Sequence, residues 1–233
     1  MKLLATAVWT SCSRAPFLLE ESALRWGIPL HPVHRDKPWA GFYQSKVVNF
    51  WWEASTQEWD VLLHCDGGDA FFTGPDALER TEAALDSCGK DILVSGEGNC
   101  FPWPKRHGDR FTDPRPYRYP NSGIWVGRRE ALTDLFARFI ASAENDDGYQ
   151  ESGWGRSNMD QVHWCEAALD GLVAVDAGND WCLNLYGRSD AEARSAVLTR
   201  GTIAPFVHWS SEENENKVRN LYRAHVDGRS RWL

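Results

Sequence analysis

The chain has 233 residues, 42% apolar and 25% charged, which is the make-up of an ordinary globular protein able to build one sizeable core. A formal net charge of -8 argues against a nucleic-acid partner but not against a small anionic ligand, because one local cation or metal overrules the global field. No apolar run reaches the roughly 18 to 20 residues of a membrane span, and six cysteines without metal-site spacing suit a reduced, cytoplasmic protein.

Residues 2–9 are short and apolar and read as a buried first strand rather than a signal peptide. Phe17, Leu18, Ala23, Leu24 and Trp26 predict a helix over 16–26, with Pro16 in its first turn and Gly27 at its stop. A strand follows at 28–33, then a Pro/Gly/aromatic loop at 35–43 and a helix from Lys46 to Ala54. Val61 to Cys65 is a compact strand that runs into Asp66, followed by a helix at 76–87 and a strand at 91–95. This rhythm predicts an α/β fold, Rossmann-like, with a mostly parallel sheet flanked by helices in a single domain over 1–233. Ligands of such sheets bind beyond the carboxyl ends of the strands, where Asp66 and Asp69 fall.

The second half is less regular. A proline-rich loop is expected at 99–120 and an acidic, glycine-containing one at 144–157, both framing the acceptor side of a site and ordering on binding. Between and after them come a strand at 124–126, helices at 130–142 and 159–169, strands near 172–176 and 203–208, and a closing helix at 214–225. Most of the thirteen tryptophans read as packing, whereas Trp39, Trp103, Trp154 and Trp209 sit beside loop residues and are expected to expose a ring to a sugar face or a nucleobase.

Chemistry concentrates at Asp66-Gly67-Gly68-Asp69. Two hard oxygen ligands at one point suit a divalent cation that also takes phosphate oxygens, Mn²⁺ or Mg²⁺. Gly67 and Gly68 are expected to adopt positive φ and let a ligand approach the backbone. Taken alone, the four residues read equally as a turn in which both aspartates cap backbone amides.

Other segments extend the pattern in chain order. They are Gly41 with Gln44-Ser45-Lys46-Val47, the Asp66–Asp69 motif, Val94-Ser95-Gly96-Glu97-Gly98-Asn99-Cys100-Phe101-Pro102, Tyr119-Pro120-Asn121-Ser122-Gly123, Met159-Asp160-Gln161 and Pro205-Phe206-Val207-His208. Together they resemble the GT-A glycosyltransferase domain of procollagen lysyl hydroxylases and related collagen glycosyltransferases, with features shared with the glycogenin-like retaining transferases. The resemblance implies a metal held by Asp66, Asp69 and His208, and a catalytic set of Asn121, Asp160 and Gln161 beside the sugar. It also implies donor contacts from Lys46, Gly67, Gly68, Glu97 and Lys217.

The activity so implied moves a hexose from a UDP-sugar to a sugar, peptide or small-molecule hydroxyl acceptor, with retention favoured. A non-catalytic carbohydrate- or nucleotide-sugar-binding protein is the alternative, and no hydroxylase iron site is evident. The sequence departs from the family in three places. Gly68 replaces an aromatic residue near the base, Lys217 lies further beyond His208 than the phosphate-binding lysine does, and no acidic run precedes Asp160. These departures leave base preference and acceptor open.

Overall fold

The apolar runs at 3–8 and 61–65 become the middle of a sheet because both of their faces are covered. In the computed structural model, which describes residues 1–8, 18–33, 38–151, 153–200, 204–209 and 215–230, the first half of the chain gives β1 (Leu3–Val8), α1 (Leu18–Trp26), β2 (Leu30–Val33), α2 (Phe50–Ala54), β3 (Val61–Cys65), β4 (Ala70–Phe72), α3 (Ala77–Ser87) and β5 (Ile92–Glu97). The second half gives α4 (Pro104–His107), β6 (Tyr119–Arg128), α5 (Arg129–Glu144), α6 (Asp160–Leu169), β7 (Ala174–Asp176), β8 (Cys182–Asn184), α7 (Asp190–Arg200), β9 (Phe206–His208) and α8 (Glu215–Ser230).

Six strands form one sheet in the order β2-β1-β3-β6-β5-β7. β1 is parallel to β2 and β3, and β5 to β7. Only β6 runs against its neighbours β3 and β5. β3 alternates as a strand covered on both faces must. Val61, Leu63 and Cys65 join the apolar layer under α1 and α3, while Leu62 joins the opposite layer of Phe50, Trp125, Phe136 and Trp164. A second, three-stranded sheet, β4-β9-β8, packs Phe71, Leu183 and Val207 against Val218, Leu221 and Tyr222 of α8.

Several expectations change. The expected strand at 124–126 is the end of β6, which begins at Tyr119, so Asn121-Ser122-Gly123 lies inside a strand whose pairing shifts register between Val94 and Ser95. The loop at 99–120 holds α4 and a 3₁₀ turn at Gly108–Arg110. β4, β8 and α7 had no counterpart in the sequence reading. β9, within the expected strand at 203–208, pairs with β4 and β8. Residues 9, 16, 17, 35–37, 152, 203 and 214 of the expected elements and loops lie outside the described residues.

Trp103 and Trp209 are buried at 0% and 3% exposure, contrary to the expectation of open rings, because each is enclosed by its neighbours in a packed cluster. Trp39 is exposed. Cys65, Cys88, Cys100, Cys165 and Cys182 are free, while Cys12 lies outside the described residues. No helix of the described residues is long and apolar enough to cross a membrane.

Candidate active site

β3 delivers its last residues to the carboxyl edge of the sheet, and the turn after it presents Asp66 and Asp69 there. The Asp66 N–H donates to the Gly123 carbonyl at 2.7 Å, tying the turn to β6. Antiparallel pairing of β4 with β9 sets Ala70 opposite His208, and the Trp209 N–H donates to the Asp69 carbonyl at 2.9 Å. That pairing carries His208 to the aspartates across more than 130 residues of chain.

Ligand atoms of Asp66, Asp69 and His208 lie within 4.8 Å of one another. His208 Nε2 is 3.5 Å from Asp69 Oδ1 and 3.9 Å from Asp66 Oδ2. Both ring nitrogens of His208 are buried without a hydrogen-bond partner, and an ion coordinated at Nε2 would remove that cost for the nitrogen facing the aspartates. One imidazole and two carboxylates suit Mn²⁺, and the residues therefore fit a divalent cation. Burial opposes the charged form of His208, but Asp69 and then Asp66 outweigh it and raise its pKa.

Gly123 explains how the ring fits. A Cβ there would meet His208 Cε1, stand 2.7 Å from Nε2 and lie 2.9 Å from Asn121 Oδ1. The glycine of the Asn-Ser-Gly segment is thus the floor under the histidine.

Lys46 enters from a π-helical stretch, Gln44–Asn49, that runs into α2. Its Nζ lies 2.9 Å from Asp66 Oδ1 and 3.4 Å from Asp160 Oδ2, with only 8% of the side chain exposed. Burial disfavours the ammonium, yet Asp160 and Asp66 together push its pKa up. Asp66 is likewise opposed by burial, and Lys46 in the first place holds its pKa below the usual carboxylate range.

Asp160 and Gln161 open α6, so the helix N-terminus faces the same cavity. Gln161 is held on three sides. Its Nε2 donates to Glu97 Oε1 and to the Phe101 carbonyl, and its Oε1 accepts from the Ser122 N–H and hydroxyl at 3.4 Å. Asn121 donates to Glu97 Oε2 at 3.1 Å. Burial pushes the Glu97 carboxyl up to about 7, against these two amide contacts.

These side chains line one cavity of about 300 Å³ with Phe42, Phe101, Met159 and Tyr186 on its apolar side. A larger cavity of about 700 Å³ lies along β7 and contains none of the anticipated site residues. Lys217 is not brought in. Its Nζ pairs with Asp190 at 3.1 Å and lies over the Trp209 ring, because α8 packs on the small sheet away from the cavity. Neither Gly67 nor Gly68 has positive φ. The turn closes without it, and a Cβ at Gly68 would meet open space.

No family profile and no curated protein sequence matches the chain. Solved structures do. A glycosyltransferase involved in glycosylation of the major capsid of PBCV-1 superposes with a TM-score of 0.55 at 12% identity, over 94% of this chain and 99% of that one. Mouse xyloside xylosyltransferase 1, in its apo form, superposes with a TM-score of 0.53 at 16% identity, over 88% and 97% respectively. The chain has a GT-A glycosyltransferase fold. At such identities the likeness concerns the fold, and function must be argued from the site.

Within this GT-A fold, sequence reasoning missed His64, whose ring sits 1% exposed behind Asp66 with Nε2 3.6 Å from Oδ1. A polar residue in the middle of an apolar strand was the available signal. Tyr186 carried none, since only the closure of the small sheet brings it to the cavity.

Proposed function

We propose that this protein is a metal-dependent glycosyltransferase moving a hexose from a UDP-sugar to a hydroxyl acceptor on a sugar, a peptide or a small molecule, with retention of configuration. The observation that carries the reading is the convergence of Asp66, Asp69 and a partnerless His208 Nε2 on the wall of the cavity that holds Asn121, Asp160 and Gln161. The GT-A fold supports it.

Asp66, Asp69 and His208 would hold the divalent ion, which when bound supplies electrostatic stabilisation to a diphosphate leaving group. Lys46 adds a buried positive charge on the same side. Asn121 and Asp160 meet the sugar hydroxyls, and Asp160 Oδ1, buried without a partner, is open to accept one. Gln161, fixed by Glu97, Phe101 and Ser122, stands beside the anomeric carbon and cannot turn away from it. Glu97 clamps both amides in those orientations. Gly67 and Gly68 leave room for the nucleotide, and the whole chain acts as one domain. Free thiols at the five described cysteines suit a cytoplasmic location.

The test is release of UDP from a panel of UDP-sugars, with and without Mn²⁺ and with candidate acceptors. Turnover should require the ion and fall about 100-fold or more in His208→Ala, Asp66→Asn and Asp69→Asn, with the fold retained. Equal turnover after chelation removes the ion from the mechanism. Donor binding without turnover under every condition leaves a carbohydrate- or nucleotide-sugar-binding protein instead.

A further inference from the structure

The Asp66 carboxylate already has a cation on it. Lys46 Nζ lies 2.9 Å from Oδ1 and 3.2 Å from Oδ2, so one ammonium engages both oxygens that Asp66 offers. A divalent ion shared by Asp66, Asp69 and His208 needs one of those same oxygens. Lys46 cannot yield by swinging into water, because its side chain is only 8% exposed. What it does have is a second carboxylate. Asp160 Oδ2 stands 3.4 Å away on the other side, and Asp160 Oδ1 is buried with no hydrogen-bond partner.

Three carboxylates, Asp66, Asp69 and Asp160, therefore surround a lysine with a flexible four-carbon stem and two places to sit. We propose that Lys46 is an internal cation that competes with the metal for Asp66, and that its transfer toward Asp160 and the donor's phosphate oxygens couples metal binding to diphosphate binding. The proposal rests on the metal and nucleotide-sugar reading above and adds an order to it. A metal ion alone meets a carboxylate held by an ammonium at close range, and binds weakly. A diphosphate gives the ammonium a new anionic partner in the cavity, Asp66 is released, and the ion binds tightly. Linkage makes the effect reciprocal, so the ion tightens the diphosphate by the same factor.

His64 lies behind the same carboxylate without a hydrogen bond to it. Its ring lies stacked on Trp125 and edge-on to Phe50, with Nε2 3.6 Å from Asp66 Oδ1.

The experiment is Mn²⁺ binding by calorimetry and by electron paramagnetic resonance, with and without UDP, in the wild type and in Lys46→Met. In the variant, Mn²⁺ alone should bind at least about tenfold more tightly, and the factor by which UDP tightens Mn²⁺ should fall at least about tenfold. Mn²⁺ affinity that is unchanged or weaker in the folded variant overturns the competition. Equal tightening with and without UDP overturns the coupling, since that is what a charge acting only at a distance would do. Where Lys46→Met does not fold, Lys46→Gln, whose amide keeps a neutral hydrogen bond to Asp66, takes its place with the same outcomes. A wild type that binds no Mn²⁺ under either condition instead rejects the metal reading itself, which separates the two failures.

Discussion

Glu97 sits at 3% exposure at the end of β5, and its surroundings decide its charge. Its carboxyl ionises near pH 7 in the folded chain against 4.5 in an unperturbed one, chiefly because burial disfavours the anion. Between those values the folded state holds a proton that the unfolded state has released. Stability from this group is therefore full below about pH 4.5 and is lost as pH rises toward 7. From pH 5 to 8 the loss should be about 2–3 kcal/mol. Urea unfolding of wild type and Glu97→Gln across that range checks it, because the difference between them isolates this carboxyl from the histidines nearby. A difference that stays flat with pH means that Glu97 is ionised throughout. The resemblance marked Glu97 as a donor contact, but its clamping of Asn121 and Gln161 depends on β5 and β6 lying side by side.

At the scale of elements, β6 and β9 build the metal-side wall together. Gly123 on β6 lies directly beneath the His208 ring on β9, and any Cβ would meet that ring. Overpacking of this kind costs typically 1–3 kcal/mol. Gly123→Ala is expected to lower stability by about that much and to weaken Mn²⁺ binding about tenfold or more, by tilting His208 away from Asp69. Denaturant unfolding paired with Mn²⁺ titration measures both. Unchanged Mn²⁺ affinity in the variant would show that the ring does not coordinate. The Asn-Ser-Gly segment was legible as a motif, but not as the seat of the histidine. β4 and β8 hold three residues each, too few to show a period, and they exist as strands because each pairs with β9.

For the whole molecule, the expected consequence is cooperative stabilisation by nucleotide and ion. A ligand that binds only the folded state stabilises it by about 2.7 kcal/mol at a hundredfold excess over Kd. UDP with Mn²⁺ should raise the melting temperature, while UDP with chelator should not. An equal shift with and without the ion would remove the metal-bridged diphosphate, and a larger shift with another nucleotide would remove uridine. Hydrogen exchange should show added protection at 99–120 and 144–157 in the donor–acceptor complex. Phe101 lines the cavity itself, and the Trp103 indole donates to the Trp154 carbonyl at 2.7 Å, joining the two loops.

The sequence by itself determined the α/β rhythm of the first hundred residues, because buried strands and amphipathic helices write their periods locally. It also determined that Asp66 and Asp69 stand at a strand's carboxyl end, since a compact, largely apolar run of five residues leads straight into the turn chemistry of Asp-Gly-Gly-Asp. Only the tertiary structure decided that β6 runs antiparallel, that β9 joins β4, and that Lys217 stays with Asp190. It alone put Lys46 between Asp66 and Asp160, which lie 20 and 114 residues further along the chain. The reason is one of range. Side-chain periodicity reports what a segment buries, whereas pairing partners and the meeting of distant charges depend on how the whole chain closes around its core.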